Sequence, residues 1–258
     1  MSTTQNNELV LPSLPDAYLR INEVIADPFA TTDAAVKVIL LDTALSARIL
    51  QMANTSVYRR ASGNVATVSE AVRALGLSKV RDLALAASVI GMFSGPRAAN
   101  FWEHSAAIAA WASSIAEASG DRNYETMTLA GMLHDIGRLV LMANYPDIKL
   151  APPSSEAGES WLIEQEASHY ERSHTWVGGR LLDNWGLPLY SAVAEFHHDP
   201  DSAPSNKKAV RFVAIAEQAE EAGEGWELVI REALPEVDLA ELKEAQEAKL
   251  TAMRSMLA

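Results

Sequence analysis

The sequence predicts an all-α fold on three observations. Apolar residues recur at spacings of three and four along almost the whole 258-residue chain. Val and Ile fall inside these patterns, and no run of useful length alternates as a strand would. Ser, Thr, Asp, Gly and Pro stand where the periodic segments start and stop.

Taken in order, Leu14, Leu19, Ile21 and Ile25 make the first apolar stripe, after the Pro-punctuated opening Leu11-Pro12-Ser13-Leu14-Pro15. Asp27-Pro28 ends it, because a residue before Pro avoids the helical region. Thr32-Asp33 offers an N-cap for a helix over 34–41, and Leu45, Ile49 and Met52-Ala53 continue at helical spacing. Ser69 reads as the cap of a helix whose apolar face is Val72, Leu75 and Leu77, with Gly76 at its end. Val80, Leu83, Ala87 and Ile90 begin the next one. Ser94-Gly95-Pro96 is the clearest break of the first half and marks a subdomain boundary. Residues 102–118 form an Ala-rich helix, Gly120-Asp121-Arg122-Asn123 a turn, and 124–142 one or two buried helices around Gly137. Pro146, Pro152 and Pro153 make 144–158 a loop, and 161–168 is a short amphipathic helix. Ser173 caps a helix over 174–185 that ends at Gly186, before Leu187-Pro188. Helices at 193–198, stopped by Asp199-Pro200, and at 210–218 follow. Leu239, Leu242, Leu250, Met253 and Leu257 give the tail an amphipathic helix that packs on the body or on a partner.

Composition narrows the chemistry. Apolar residues are 48% and charged residues 21%, the make-up of a folded globular chain. There is no cysteine, which excludes disulfides, thiolate-ligated zinc, iron–sulfur clusters and a thiol nucleophile. Any metal must be held by His, Asp, Glu or backbone oxygen. Lys plus Arg is 21 and Asp plus Glu is 34, a net charge of −13, which weighs against a nucleic-acid partner. Arg59-Arg60 and Lys207-Lys208 are the adjacent basic pairs. They read as solvated surface, or as docking points for an acidic or phosphorylated partner. The acidic run over 217–227 reads as a solvated helix end. Residues 1–8 lack the apolar core of a signal peptide, and the longest uncharged stretch, 83–96, is shorter than the roughly 18–20 residues of a membrane helix. The expectation is a soluble, cytoplasmic protein.

Six histidines stand out: His104, His134, His169, His174, His197 and His198. Asp135 follows His134, and the last two are adjacent. Neighbouring side chains on a helix diverge by about 100°, so both members of such a doublet can border one cavity lying between them. Several helices that each give one or two ligands make a common bundle site, and imidazoles with a carboxylate suit Fe, Mn, Zn, Co or Ni. The same residues also read as a polar network tying helices together. Trp102, Trp111, Trp176 and Trp185 read as core rather than as a ligand platform. Gly178 and Gly179 lie inside a predicted helix, at about 1 kcal/mol each relative to Ala, which points to close helix approach. Gly131 and Gly137 serve the same end near His134.

The segment Leu129-Ala130-Gly131-Met132-Leu133-His134-Asp135-Ile136-Gly137-Arg138-Leu139 resembles the His-Asp-Ile-Gly motif of the HD superfamily of metal-dependent phosphohydrolases. Four more stretches resemble one branch of it, the HDOD family, the HD-related output domain of bacterial signalling. They are Leu11-Pro12-Ser13-Leu14-Pro15; residues 45–54 with the ending Met52-Ala53-Asn54; Glu70-Ala71-Val72-Arg73-Ala74-Leu75-Gly76; and His174-Thr175-Trp176-Val177-Gly178-Gly179 through Trp185-Gly186-Leu187-Pro188 to His197-His198. The first three precede the HD-like part and do not belong to a plain HD enzyme. The likeness spans about residues 9–218.

The resemblance implies an HDOD-specific helical subdomain over 9–95, a modified HD-like helical subdomain over 96–220 and a helical tail over 221–258. It also implies a ligand set, position by position. His104 matches the early His of HD enzymes, His134 and Asp135 the pair, and His174 the next His. His197 and His198 match the double His of the cyclic-dinucleotide phosphodiesterase branch. The family's final Asp is replaced here by Glu217, whose extra methylene moves the carboxylate by about 1 Å or more. A substrate-binding Lys often follows the motif, and Arg138 stands in its place. Arg holds phosphate bidentately but with different geometry. The Gly-Tyr-Pro signature of one phosphodiesterase branch is missing, and Asn144-Tyr145-Pro146 is a chance near match. The implied cofactor is one or two divalent transition-metal ions, Fe, Mn or Zn.

The implied function is a bacterial signal-transduction regulator or adaptor. It acts without turnover, by binding a signalling protein or a nucleotide-type ligand that shifts the orientation of its two helical halves. With no room for a second catalytic domain after about residue 220, the chain reads as a stand-alone member. The alternative is a metal-dependent phosphohydrolase or phosphodiesterase on nucleotides or cyclic dinucleotides, in which metal-activated hydroxide attacks phosphorus and Arg138 steadies the phosphate. A metal or redox sensor is the third reading.

Overall fold

Side chains that accept a backbone N–H start several of the helices. Thr31 accepts from Ala34 N, Asp42 from Leu45 N, Thr67 from Glu70 N and Ser173 from Trp176 N. Each satisfies a donor that a first helical turn leaves open, at about 1 kcal/mol. The computed structural model describes residues 9–27, 29, 31–55, 64–93, 96–146 and 158–257. Its helices are α1 (Asp16–Ala26), α2 (Thr32–Ile39), α3 (Thr43–Ala53), α4 (Val68–Leu75), α5 (Leu77–Met92), α6 (Pro96–Ala118) and α7 (Thr126–Leu133). They continue as α8 (Ile136–Asn144), α9 (Gly158–Tyr170), α10 (His174–Asn184), α11 (Pro188–Phe196), α12 (Lys207–Glu221), α13 (Trp226–Ala233) and α14 (Leu239–Leu257). The described residues contain no strand, so the fold is all-α as the periodicity predicts. No helix among them is long and apolar enough to cross a membrane.

Several boundaries differ from the sequence expectation, each for a local reason. The cap of α2 is Thr31 rather than Thr32-Asp33. The cap of α4 is Thr67 rather than Ser69, because Thr67 and Glu70 form a reciprocal capping box. Gly76 ends α4 at φ +82°, a left-handed conformation that glycine adopts without steric cost. The segment 124–142 breaks at His134-Asp135, not at Gly137, and the tail holds two helices rather than one. Arg59-Arg60, the Ser94-Gly95 break and residues 147–157 of the Pro-rich loop lie outside the described residues.

Contacts divide the chain into two compact units, Met1–Ser13 with Leu133–Val210, and Leu14–Met132 with Arg211–Ala258. This is a grouping by contact, whereas 9–95, 96–220 and 221–258 are segments of sequence likeness. In the second unit α1 packs on α2 and α5, α3 on α4 and α5, and α14 runs along α6 and also meets α3. The approach of α7 to α6 is close: a Cβ on Gly131 would stand 2.5 Å from Ala109 Cα. Asn54, the last residue of the Met52-Ala53-Asn54 stretch, clamps the backbone of Val65, donating to its O at 2.8 Å and accepting from its N at 2.7 Å. The tail helix α14 packs on the body. Leu242, Ala252 and Met253 are buried, Lys249 Nζ donates to Glu117 Oε2 at 2.7 Å, and Arg254 Nε donates to Glu103 Oε1 at 2.6 Å. The acidic run at 217–227 is more than a solvated helix end, since Glu217 is buried and Glu220 accepts from Trp111 Nε1 at 2.9 Å.

In the first unit, Val10 exchanges two hydrogen bonds with the Asn144 amide, and Trp185 Nε1 donates to Pro12 O at 3.0 Å. These bonds anchor the Leu11-Pro12-Ser13 stretch. Helix α10 packs on α8 and α11. Trp102, Trp111 and Trp185 are buried as expected, but Trp176 is 36% exposed. It sits on the outward face of α10, with Arg172 and Arg180 at 4.9 and 5.7 Å from its ring. The depth of α14 gives a direct prediction. Leu242→Ala, at a residue 2% exposed, lowers stability by about 2–5 kcal/mol. Leu228→Ala, at a residue 75% exposed, changes it by no more than about 0.5 kcal/mol. Urea-unfolding midpoints of the two variants check the contrast.

Candidate metal centre

His134 and Asp135 form the turn between α7 and α8, with Asp135 in the N-cap position of α8. An Asp there ordinarily accepts from the first helical N–H groups. Asp135 makes no such bond. Its Oδ1 instead faces His174 Nε2 at 3.1 Å and His197 Nε2 at 3.4 Å. Its Oδ2 faces Arg138 Nε at 3.0 Å and His134 Nε2 at 3.7 Å. Asp135 and these three histidines are at most 1% exposed.

Glycine at two positions allows this convergence. A Cβ on Gly137 would stand 1.9 Å from His174 O and 2.7 Å from Gly178 N, so α8 can lie against the start of α10 only without a side chain there. On the other side of α10, a Cβ on Gly179 would meet Glu195 Cβ at 2.9 Å, and Ser191 Oγ donates to Gly179 O at 3.0 Å. The close approach inferred from these glycines is present. It brings the first residue of α10, His174, beside His197 and His198 at the end of α11, whose two rings lie 4.0 Å apart.

Glu166 on α9 completes the centre and was not singled out in the sequence. It is 3% exposed, and its Oε2 accepts from both the backbone N of His174, at 2.9 Å, and His174 Nδ1, at 2.5 Å. That double contact fixes the ring and leaves Nε2 aimed at Asp135. A signal for it exists in the pattern of α9. Glu166 and Tyr170 share the buried stripe of that helix, and a carboxylate on such a stripe needs a partner.

Hydrogen bonding also sets the His197 tautomer. Its Nδ1 lies 3.1 Å from the carbonyls of both Val193 and Ala194. Carbonyl oxygens only accept, so Nδ1 carries a proton, and Nε2 is the ring atom that faces Asp135 Oδ1. Burial alone would push the Asp135 carboxyl up, but Arg138, His174 and His134 outweigh it and hold the group well below the usual carboxylate range. Burial likewise disfavours charge on His174, yet Asp135 and the Glu166 hydrogen bond raise its pKa to about 9.

Asp135, His174, His197 and His198 each offer one ligand atom, all within 4.8 Å of one another. His134 adjoins this set, its ring 5.1 Å from that of His197. His104 on α6 and Glu217 on α12 belong to the second unit, where a ligand atom of each lies within 4.8 Å of the other. The four-residue set fits a divalent transition metal. It combines imidazole nitrogens with a carboxylate, and the outer Nδ1 bonds to Glu166 and to backbone carbonyls are those that orient metal-binding histidines.

The HDOD domain profile matches residues 11–200. The chain belongs to the HDOD family. Among solved structures, this HDOD protein is similar to an HDOD domain protein of unknown function from Geobacter sulfurreducens, at 24% identity, covering 96% of this chain and 92% of that one, with a TM-score of 0.66. It is similar to a candidate metal-dependent phosphohydrolase from Shewanella amazonensis SB2B, at 22% identity, 97% and 93% coverage and a TM-score of 0.73. It is also similar to a candidate signal transduction protein from Marinobacter aquaeolei VT8, at 22% identity, 99% and 60% coverage and a TM-score of 0.69. These likenesses show a shared helical fold. No curated protein matches the chain significantly.

Two outcomes follow from this geometry. Gly137→Ala forces α8 and α10 apart and lowers stability by about 1–3 kcal/mol, as read by thermal unfolding. The second concerns pH in metal-free protein. His174 is raised from an unfolded value near 6.5 to about 9, so its stabilisation is complete below about pH 6.5 and lost as pH rises through 9. Linkage makes that loss about 3 kcal/mol, and His174→Gln flattens this part of the stability–pH curve.

Proposed function

We propose that this HDOD protein is a cytoplasmic signal-transduction regulator that acts by binding a signalling protein or a nucleotide-type ligand, without turnover. Its His/Asp centre holds one or two divalent transition-metal ions, Fe, Mn or Zn, as an organising element. The observation that carries the reading is the closure of the centre. Asp135, His134, His174 and His197 are essentially inaccessible, and the Arg138 guanidinium that would steady a phosphate is engaged with Asp135 at 3.0 Å, with Glu166 beyond it at 3.9 Å. Arg138 is thereby committed as the counter-ion of Asp135. Asp135, His174, His197 and His198 would hold the ion, with Glu166 and the Val193 and Ala194 carbonyls orienting two of the rings. A metal bound there supplies Lewis-acid character. In this reading the 9–95 segment provides the regulator-specific part, 96–220 the metal-holding part, and 221–258 a supporting tail. The charge of −13 favours a protein or small-molecule partner over nucleic acid.

A metal-dependent phosphohydrolase is the second reading. The Asp135, His174, His197 and His198 donor set and the name carried by the Shewanella amazonensis neighbour favour it.

Elemental mass spectrometry on protein purified without chelator or polyhistidine tag tests the proposal. About one or two metal ions per chain are expected in the wild type and almost none in Asp135→Asn. Protein reloaded with Mn or Fe is expected to hydrolyse bis-p-nitrophenyl phosphate and cyclic dinucleotides no faster than Asp135→Asn. Hydrolysis by the wild type that the variant lacks overturns the regulator-without-turnover reading. Failure to take up metal even after anaerobic reloading makes the histidines a polar network and removes the metal from the account.

A further inference from the structure

The second unit contains a cavity of about 350 Å³ whose walls include none of the residues of the metal centre. Its floor is apolar and rich in methionine: Met52 of α3, Leu75 of α4, Leu83 of α5, Leu129 and Met132 of α7, and Met253 of α14. Each of these is at most 7% exposed. Thioether side chains are unbranched and flexible, so such a floor reshapes around an apolar guest more readily than one of branched residues. The volume is in the lower part of the range for small-molecule pockets, about 300–1,000 Å³, and equals about a dozen water-sized groups.

The rim is charged, and its charges are not all committed. Lys79 forms an ion pair with Glu125, and Asp82 is paired with Arg81 at 3.2 Å. Arg122, also on the rim, is exposed and makes no ion pair among the described residues. The uncommitted charge over an apolar floor is thus positive. Two stretches that the metal centre leaves unused end here. Met52 belongs to Met52-Ala53-Asn54, and Leu75-Gly76 closes the 70–76 stretch. The 9–95 segment holds none of the candidate metal ligands, yet it builds much of this cavity.

We infer that this cavity binds a small amphipathic molecule, its apolar body on the methionine floor and its anionic end, a carboxylate or a phosphate, at Arg122. The inference is independent of whether the His/Asp centre binds metal.

Calorimetric titration and thermal shift of the full chain with octanoate, octyl phosphate, octanol and inorganic phosphate test it. Saturable binding of octanoate or octyl phosphate at one site per chain is expected, tighter than that of octanol, and the stronger of the two identifies the head group. Arg122→Glu, at an exposed position, is expected to weaken binding of that anion at least about tenfold and to leave octanol unchanged. Ala86→Phe, which fills the cavity, is expected to abolish binding of both while the circular dichroism stays that of wild type. Absence of saturable binding by any of the amphiphiles overturns the inference. So does octanol binding as tightly as the anions, or unchanged anion affinity in Arg122→Glu. The last comparison stands even if Ala86→Phe does not fold.

Discussion

A carboxylate taken out of water must be surrounded by positive charge or hydrogen bonds, or it does not stay ionised. Asp135 is 1% exposed, and the centre of this protein is built around that requirement. Arg138 comes from the next turn of the same helix, His174 from the start of α10, His197 from the end of α11. Each histidine is then held by something else. Glu166 grips His174 by ring and backbone, and two carbonyls of α11 hold the His197 ring. The arrangement is cooperative in a physical sense, because removing Arg138 or His174 leaves a buried negative charge with less compensation.

The convergence is possible because side chains are missing where helices cross. Gly137 against the start of α10 and Gly179 against Glu195 let three helix segments meet closely enough for their terminal histidines to face one carboxylate. The second unit uses the same means at Gly131 against Ala109. There the tail helix α14 adds paired charges at its edges, Lys249 with Glu117 and Arg254 with Glu103, around a buried stripe of Leu242, Ala252 and Met253.

The two units offer different chemistry. In the first, imidazoles and a carboxylate, buried except for the partly exposed His198, suit a cation. In the second, an apolar cavity with an uncommitted arginine at its rim suits an anionic amphiphile. Donors positioned in advance lower the cost of binding an ion, and a methionine-lined pocket can reshape around its guest.

The sequence by itself determined the helices and the family. The 3.6-residue periodicity, the cap at Ser173, the end at Gly76 and the run from Leu129 to Leu139 are local signals, and local signals survive in one dimension. Through resemblance it also singled out Asp135, His174, His197 and His198, whose ligand atoms lie within 4.8 Å of one another, along with His104 and Glu217, which belong to the second unit. Spacing alone left metal site and polar network both open, because Asp135 and His174 are far apart in the chain and nothing in one dimension says that they meet. Only the tertiary structure decided the rest. Glu166 became part of the centre because α9 lies where its buried stripe meets the first residue of α10, a matter of packing between segments. Trp176 came out exposed and Glu217 buried, against their local patterns, because the neighbouring elements decide which face of a helix is covered. The tail's choice of the body was made by the complementary surface of α6. Propensity and capping act over a few residues and can be read along the chain. Burial, charge compensation and close approach act between segments far apart in sequence, and they exist only once the chain has folded.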